Sequence, residues 1–406
     1  MKIKALVLTT SLTRYVGDYL ANFIYESIKN LKVKEHVDLD IVAPDTIDSI
    51  KNERRDNINI YRFTYVFPRR LQKLAYGSGI AINLRNNPLL YLQVPSFGLS
   101  FLYKSLKVYK NHNIIYSQLV FAGMIGVILR KILNKKIPII TTFWGKDVDN
   151  LAKHKRIYNL LIKEGDLFIT LSPDMSNDLL KIGCDRSKIR DINIGINLKN
   201  FKYKKPKKSK KITFLFVGRL IEKKGVKYMI NAFNKILKNN NFELRILGDG
   251  SLENELKNQV KRLKLEKNIT FINNKGVKDT RKLSLNEFGK ADIFLLPSVL
   301  ASDGDKEGTP FVLMEAQAMG IPCISSFHAG IPYLVLNNKT GFLVKERDVN
   351  DLSNKMLRLA KNYNLRLKFS KAGRKHIEEN YNQDKQISKI RKEMERLLKI
   401  QNEKAH

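Results

Sequence analysis

The sequence of 406 residues is poor in cysteine and lacks the histidine and cysteine spacings of metal sites. Its two cysteines, Cys184 and Cys323, cannot build a disulfide framework, so a reducing compartment is expected. The six histidines are scattered, with no HxxxH or CxxC pattern near them. We therefore expect a cytoplasmic protein without a bound metal.

Long apolar segments are lacking as well. Residues 1–8 carry charge too early, and are apolar for too short a stretch, to form a signal peptide. The longest apolar run, residues 119–129, ends at Arg130 and falls short of the roughly 20 residues that a membrane span requires. The prediction is a chain without a membrane-spanning helix, whose surface could still contact the inner face of the cell membrane.

Acidic residues are scarce relative to basic ones. Lysine and arginine number 74 against 39 aspartates and glutamates, which gives a net charge of +35 and a pI near 9.9. This balance favours an anionic partner, such as nucleic acid, a phospholipid surface or a phosphorylated substrate.

One segment, residues 69–110, mixes basic and hydrophobic side chains. Its basic residues are Arg69, Arg70, Lys73, Arg85, Lys104, Lys107 and Lys110, and its hydrophobic ones include Tyr76, Leu89, Leu90, Tyr91, Phe97, Phe101 and Tyr103. The mixture suits an anionic bilayer surface, single-stranded nucleic acid, or ordinary helix packing with solvated lysines.

What is present is the pattern of a soluble α/β protein. Hydrophobic residues make up 43% and charged residues 28%, and the length suggests two domains. Short apolar strands alternate with amphipathic helices in two series. Strands are predicted at residues 5–10, 37–42, 58–63, 114–117, 138–142 and 167–171, then at 212–217, 243–247, 269–272, 293–296, 322–325 and 341–344. Such alternation predicts two Rossmann-like domains, each built on a parallel sheet.

A lysine-rich segment marks the predicted domain boundary. Residues 202–211 are nearly all charged and cannot pack in a core, so we predict a solvated linker there, with a nucleic-acid patch as the alternative. The predicted domains are residues 1–200 and 201–381. The last stretch, residues 382–406, is predicted to form a charged amphipathic helix.

Two glycine-rich turns follow predicted strands of the second series. After strand 212–217 come Gly218 and Arg219, with Lys224 just before a predicted helix. Glycine there lets a ligand approach the backbone, and the helix N-terminus and the two cations suit a diphosphate. A salt-bridged surface loop is the alternative. Gly248 and Gly250 follow the next strand, where a plain turn between strand and helix would look the same.

Two glutamates straddle a third predicted helix start. A helix is predicted to begin near Thr309 as N-cap, with Pro310 at its first position. Glu307 would then lie in the preceding loop and Glu315 about one and a half turns into the helix. Carboxylates so placed can accept hydrogen bonds from sugar hydroxyls, whereas the alternative is a pair of solvent-exposed glutamates.

These segments together resemble the retaining glycosyltransferases of family 4, which have the GT-B fold. The resemblance is carried by Gly218-Arg219 with Lys224-Gly225, by Gly248-Asp249-Gly250, and by Glu307 with seven residues before Glu315. The segments 8–18, 74–80 and 298–332 are similar to the branch that builds capsular polysaccharides and exopolysaccharides of the colanic-acid type. The resemblance covers nearly the whole length.

The resemblance implies an architecture and a reaction. Two Rossmann-like domains would face a central cleft that closes by hinge motion, and the C-terminal helix would pack back on the first domain. The first domain would bind a sugar or lipid-linked acceptor and the second a UDP- or GDP-linked sugar, with no cofactor and no nucleic acid. Retaining members are expected to react by front-face attack, in which the departing phosphate takes the acceptor proton.

The resemblance also implies roles for individual residues. Arg219 and Lys224 would grip the donor diphosphate and stabilise its developing charge. Glu307 would hold the transferred sugar and Glu315 the ribose. Further donor-binding residues would be Gly17, Gly218, Gly248, Gly250, Gly308, Thr309, Pro310, His328 and Gly330.

The chain also departs from the family pattern. Relatives often carry a His-Gly-x-Asp motif where this chain reads Trp144-Gly145-Lys146-Asp147, so Trp144 replaces the histidine and Asp147 keeps its usual place. Trp144 could stack on a sugar face or be buried in the core, and with Asp147 it is the candidate for acceptor binding. Relatives also tend to have an acidic residue at Tyr333 and a Pro-Asn pair at Asn193-Ile194. These changes could alter donor or acceptor choice, or abolish activity.

The sequence thus favours a glycosyltransferase of cell-surface glycan synthesis. Membrane contact through residues 69–110 is the favoured interpretation of the charge, because a lipid-linked acceptor would lie there. Two alternatives stay open: a non-catalytic basic protein on a GT-B scaffold that binds membrane or nucleic acid, and a GT-B sugar-nucleotide epimerase. The Asp303-Gly304-Asp305 triplet matches a DxD metal motif, but the arginine and lysine already supply the positive charge.

Overall fold

The computed structural model describes residues 2–15, 18, 22–77, 79–144, 147–148, 154–238, 240–274, 276–277 and 279–403. Its contacts divide the chain into a first unit, Met1–Ile194 with Asp384–His406, and a second unit, Gly195–Gln383.

The first unit is built on an eight-stranded sheet with the order β3-β4-β2-β1-β5-β6-β7-β8. All neighbours pair in parallel except β3, which is antiparallel to β4. The strands are β1 (Lys4–Thr9), β2 (Asp38–Pro44), β3 (Asn52–Arg55), β4 (Ile58–Phe63), β5 (Ile114–Gln118), β6 (Ile139–Thr142), β7 (Leu167–Thr170) and β8 (Ile189–Asp191). The helices are α1 (Asn22–Glu35), α2 (Ile80–Asn86), α3 (Gln93–Val108), α4 (Val120–Leu133), α5 (Lys155–Glu164), α6 (Pro173–Lys181) and, at the end of the chain, α14 (Gln383–Glu403).

The second unit is built on a six-stranded parallel sheet with the order β11-β10-β9-β12-β13-β14. The strands are β9 (Ile212–Val217), β10 (Phe242–Leu247), β11 (Ile269–Ile272), β12 (Ile293–Leu296), β13 (Cys323–Ser326) and β14 (Gly341–Val344). The helices are α7 (Val226–Leu237), α8 (Glu253–Arg262), α9 (Thr280–Lys290), α10 (Phe311–Ala318), α11 (Ile331–Leu334), α12 (Val349–Lys361) and α13 (Tyr363–Asn380).

Each sheet is sandwiched between helices, which is why its central strands are apolar on both faces. Phe214, Leu215 and Phe216 of β9 are fully buried, as are all four residues of β12. In both sheets the strand order reverses next to the first strand of the unit, between β1 and β5 and between β9 and β12. Ligands of doubly wound sheets bind at such switch points, beyond the carboxyl ends of the strands. The predicted α/β class with two Rossmann-like units is confirmed.

All twelve predicted strands are present, and two short strands were missed. β3 is polar, with the sequence NERR; it lies at a sheet edge and pairs with β4. β8 has three residues and also lies at a sheet edge. Edge strands need no apolar face, so their sequences carry little periodic signal.

The lysine-rich segment is not the linker that the sequence suggested. The division between the units lies at Ile194 and Gly195, so residues 202–211 belong to the second unit. The Lys204 amide donates to the Met319 carbonyl (3.0 Å), and the Tyr203 hydroxyl accepts from Ser370 (3.1 Å). The backbone is thus fastened to the unit, while most of the lysine side chains remain exposed.

Candidate active site

An open pocket of about 340 Å³ lies at the carboxyl edge of the second sheet. Because parallel strands deliver their following loops to one edge, two turns far apart in sequence line it together. The lining residues are Val217, Gly218 and Arg219 after β9, Leu247, Gly248 and Asp249 after β10, and Asn274, Thr280, Arg281 and Ser284.

Glycines allow the two turns to touch through their backbones. A Cβ on Gly248, whose φ is +147°, would lie 1.9 Å from the Gly218 carbonyl oxygen. A Cβ on Gly225, whose φ is +66°, would lie 1.9 Å from the Pro297 carbonyl oxygen. Gly225 thereby lets helix α7 begin directly beside the loop that follows β12. These glycines are therefore needed for the packing of the loops against one another.

The two predicted cations have different surroundings. Arg219 is exposed and lines the pocket. Lys224 is largely buried and its Nζ lies 2.5 Å from Oε1 of Glu307, whose side chain is only 7% exposed. Burial lowers the pKa of Lys224, although the Glu307 carboxylate opposes this shift. The Arg219 side chain is therefore accessible to a ligand, whereas Lys224 is held in an ion pair.

The loop between β12 and α10 carries Glu307 and is fastened to the turn after β9. The Val299 amide donates to the Lys223 carbonyl (2.8 Å), and Ser302 donates to Glu222 through its amide (3.0 Å) and its hydroxyl (2.6 Å). Lys223 also lies 3.1 Å from Asp305. The DxD triplet is thus part of the contacts between these two loops.

The predicted start of the following helix was wrong by one residue. Helix α10 begins at Phe311, with Pro310 at the N-cap and no side-chain capping bond from it or from Thr309 among the described contacts. Pro310 has an extended backbone (ψ 112°), so the helical conformation starts only after it. Gly308, Thr309 and Pro310 therefore form the end of the loop.

Glu315 lies on the first turns of α10 and is held by a residue that the sequence analysis missed. Its carboxylate is largely buried and lies 2.5 Å from Nη1 of Arg281, a pocket-lining residue of α9. Burial raises the pKa of Glu315, and Arg281 only partly offsets this shift. The Arg281 guanidinium also covers the Phe201 ring at 4.6 Å. No local motif marks Arg281, because its partner is 34 residues away in sequence.

His328 is buried and both of its ring nitrogens are engaged. The Glu307 amide donates to Nε2 (2.9 Å), and Nδ1 lies 2.6 Å from Oε1 of Glu346. Gly330 occupies the N-cap position of α11. His328 therefore contacts the backbone of the Glu307 loop, and Glu346 is a second residue that the sequence analysis did not single out.

In the first unit, Trp144 and Asp147 lie together after β6. Trp144 is only 8% exposed and its indole N–H donates to Gln118 at the end of β5 (2.7 Å). The Trp144 amide donates to the Asp147 carboxylate (3.0 Å). The buried ring favours the core alternative over stacking on a sugar. Gly17 lies outside the described residues.

Because the Asp147 carboxylate is buried, we expect the free energy of unfolding to depend on pH. Burial disfavours the charged carboxylate and raises its pKa to about 7, although the hydrogen bonds that it accepts from the Trp144 and Val120 amides act in the opposite direction. Between about pH 4 and 7 the folded state then holds a proton that the unfolded chain has lost, so the free energy of unfolding falls as pH rises through this range. We expect Asp147→Asn to remove most of this fall. Urea unfolding at pH 5 and pH 8 tests it, and an unchanged pH dependence in the variant would contradict it.

Comparisons with known proteins show the family to which the chain belongs. Residues 21–200 match Glycosyltransferase Family 4, and residues 198–376 match Glycosyl transferases group 1. Over 288 residues the chain is 34% identical to the amylovoran biosynthesis glycosyltransferase AmsK of Erwinia amylovora, covering 69% of this chain and 70% of that one. It is 35% identical over 240 residues to the putative colanic acid biosynthesis glycosyltransferase WcaL of Escherichia coli K12, covering 58% of each chain.

A third relative and one solved structure extend the comparison. The UDP-Gal:alpha-D-GlcNAc-diphosphoundecaprenol alpha-1,3-galactosyltransferase of Escherichia coli is 32% identical over 188 residues, covering 45% of each chain. The structure of HepE from Anabaena in complex with UDP aligns with a TM-score of 0.71 at 16% identity, covering 97% of this chain and 100% of that one. The chain therefore belongs to family 4 of the glycosyltransferases, in the exopolysaccharide branch, and has the GT-B fold. It is a glycosyltransferase.

Proposed function

We propose that the protein transfers a sugar, with retention of configuration, from a nucleoside diphosphate donor to a lipid-linked or polysaccharide acceptor in cell-surface glycan synthesis. The observation that carries this proposal is the pocket after β9 and β10, which is lined by exposed Arg219. The buried pair of Lys224 and Glu307 lies in the adjoining loops, and the charge of Arg219 acts on Lys224. The names of the exopolysaccharide relatives support the pathway class.

The proposed roles follow from charge and position. As the bond to the sugar breaks, negative charge grows on the leaving diphosphate, and Arg219 with Lys224 would stabilise it more in the transition state than in the ground state. Glu307 would accept hydrogen bonds from hydroxyls of the transferred sugar. Glu315, which contacts the pocket-lining Arg281, would accept hydrogen bonds from the ribose. In a front-face reaction the departing phosphate oxygen takes the proton of the acceptor hydroxyl, so no protein nucleophile is required.

For the donor, UDP is favoured over GDP. The galactosyltransferase relative uses a UDP-sugar by its name, and HepE was solved with UDP. A direct assay incubates the protein with radiolabelled UDP-galactose, UDP-glucose or GDP-mannose and a diphosphoundecaprenol-linked GlcNAc acceptor. We expect label in the lipid fraction from one donor, with an α linkage by NMR, and none with Glu307→Gln. Donor consumption without any acceptor, giving an epimerised sugar nucleotide, would contradict the proposal.

We further propose peripheral contact with an anionic membrane through the first unit. Here the docking surface means the exposed hydrophobic side chains Phe67, Leu89, Leu92, Leu99 and Tyr103, which are 59–87% exposed. The sequence contains no aspartate or glutamate between Asp56 and Asp147, and Arg70, Lys73, Arg85 and Lys107 are exposed in the same segment. Apolar side chains inside a purely basic region suit an anionic bilayer. Phe97 and Phe101, also in this segment, are instead buried in the core. Among the described helices, none combines the length and the apolar character that a membrane span requires.

Leucine substitutions test this docking surface. Because burying a leucine stabilises binding by about 1.5–3 kcal/mol, we expect Leu89→Asp with Leu92→Asp to weaken binding to vesicles of phosphatidylglycerol and phosphatidylethanolamine at least about tenfold. The control is Ile157→Asp on α5, which is 63% exposed and lies outside the surface. Sedimentation of protein with vesicles at physiological salt measures the effect. Equal binding of both variants, or preferential binding to single-stranded nucleic acid, would contradict the proposal.

A further inference from the structure

A chain of contacts connects four loops at the carboxyl edge of the second sheet. Glu346 after β14 contacts His328 after β13, His328 contacts the Glu307 backbone in the loop after β12, and the Glu307 carboxylate contacts Lys224 in the turn after β9. The distances are 2.6, 2.9 and 2.5 Å. The first two members have no place in the mechanism proposed above.

The contacts define the tautomer of His328. A backbone amide can only donate, so Nε2, which faces the Glu307 amide, must be the acceptor and carry no proton. The neutral ring then holds its proton on Nδ1 and donates it to Oε1 of Glu346. Such an orienting carboxylate fixes both the tautomer and the ring orientation.

Glu346 is itself held in place. Its second oxygen, Oε2, accepts from the Leu300 amide (2.8 Å), and Arg347 donates to the Leu300 carbonyl (2.5 Å). Burial disfavours the charged form of Glu346, but the Leu300 amide and His328 outweigh this and lower its pKa. Glu346 is therefore a carboxylate that needs both of its oxygens as acceptors, one for His328 and one for the loop that carries Glu307.

We propose that His328 and Glu346 are positioning residues that orient Glu307 toward the transferred sugar. His328 is only 4% exposed, so its effect is exerted through the Glu307 backbone. This inference depends on the proposed role of Glu307 in sugar binding. His328 would act on the loop that carries Glu307, and not through a direct contact with the donor.

A glutamine at position 346 should disturb this arrangement without removing volume. Glutamine offers one acceptor and one donor where Glu346 offers two acceptors. If its oxygen meets the Leu300 amide, its NH₂ faces Nδ1 of His328, and the ring must protonate Nε2 against the Glu307 amide. By contrast, His328→Gln keeps an acceptor for the Glu307 amide without any tautomer to fix.

A double-mutant cycle separates positioning from general loss of structure. We expect Glu346→Gln alone to lower turnover about tenfold to a hundredfold, as loss of a hydrogen bond to a charged group implies. In the His328→Gln background we expect Glu346→Gln to lower turnover by less than about threefold. His328→Leu should lose turnover to a similar degree as Glu346→Gln, while His328→Gln retains most of it. The assay uses whichever of UDP-glucose, UDP-galactose and GDP-mannose the wild type consumes fastest.

A binding measurement adds a readout independent of turnover. In calorimetry, Glu346→Gln should weaken binding of the sugar nucleotide while leaving that of the matching nucleoside diphosphate unchanged, because Glu307 would contact only the sugar. The matched control is Glu243→Gln, an ion-paired glutamate at the opposite end of the sheet. Additive losses in the cycle, or equal weakening of both ligands, would overturn the positioning role. A wild type that consumes and binds none of the sugar nucleotides would instead count against the proposed function itself.

Discussion

Arg219→Ala is expected to lower kcat by about 10²–10³-fold while leaving the fold intact. Arg219 is exposed and lines the pocket, so its removal costs little stability. The loss arises because a preorganised cation no longer meets the charge that develops on the departing diphosphate, and removal of one such group typically has this magnitude. Steady-state kinetics with the active sugar nucleotide, together with thermal melting of the variant, measure both parts of the expectation.

Two further variants make this result specific. Arg219→Lys keeps the charge but loses the planar fork that binds two phosphate oxygens, so partial activity is expected. Lys261→Ala removes an exposed cation at the end of α8, away from the pocket lining, and should behave like wild type. If Arg219→Ala and Lys261→Ala had the same kcat, the assigned role of Arg219 would be wrong.

Lys224→Met is expected to lose stability as well as activity. The side chains of Lys224 and Glu307 are 13% and 7% exposed, so removal of the cation leaves a buried carboxylate without its ion-pair partner. Breaking a buried pair from one side typically costs about 3–5 kcal/mol. Because Lys224 is also expected to stabilise the leaving diphosphate, kcat should fall by at least about a hundredfold.

The double variant Lys224→Met with Glu307→Leu separates the two effects. Replacing both charges by apolar side chains of similar size is often neutral for stability, so most of the lost free energy of unfolding should return. Activity should stay lost, since neither the cation nor the sugar-binding carboxylate is present. Urea unfolding and turnover of the wild type, Lys224→Met and the double variant measure both effects. A double variant that regains activity would show that the pair serves stability alone.

The sequence predicts much of this fold because the central strands are apolar on both faces. Ile212–Val217 and Ile293–Leu296 have the predicted bounds for that reason. The helix start at Phe311 was missed because Pro310 suits the first helical turn as well as the N-cap, and only the backbone conformation distinguishes them.

For the site, the sequence indicated which residues matter but not how they pair. The predicted residues after β9, β10 and β12 do meet at one edge, as parallel topology requires. The burial of Lys224 against Glu307 depends on packing between loops 83 residues apart in the chain, as the contact of Lys223 with Lys306 shows. The contact of Glu315 with Arg281 likewise joins residues that are 34 positions apart. Glu346 carries no local signal, because its role arises only where the loops after β13 and β14 meet.

The central claim is that the second unit holds a nucleotide-sugar donor, and thermal melting with UDP-, GDP- and ADP-sugars tests it most directly. A ligand at 100 times its dissociation constant adds about 2.7 kcal/mol, which for a unit of this size is a shift of roughly 5–10 °C. We predict such a shift with one nucleotide for the wild type, and its loss in Arg219→Ala and in Glu315→Ala. No shift with any of these sugar nucleotides, or an equal shift in wild type and both variants, would contradict the assignment of the donor site.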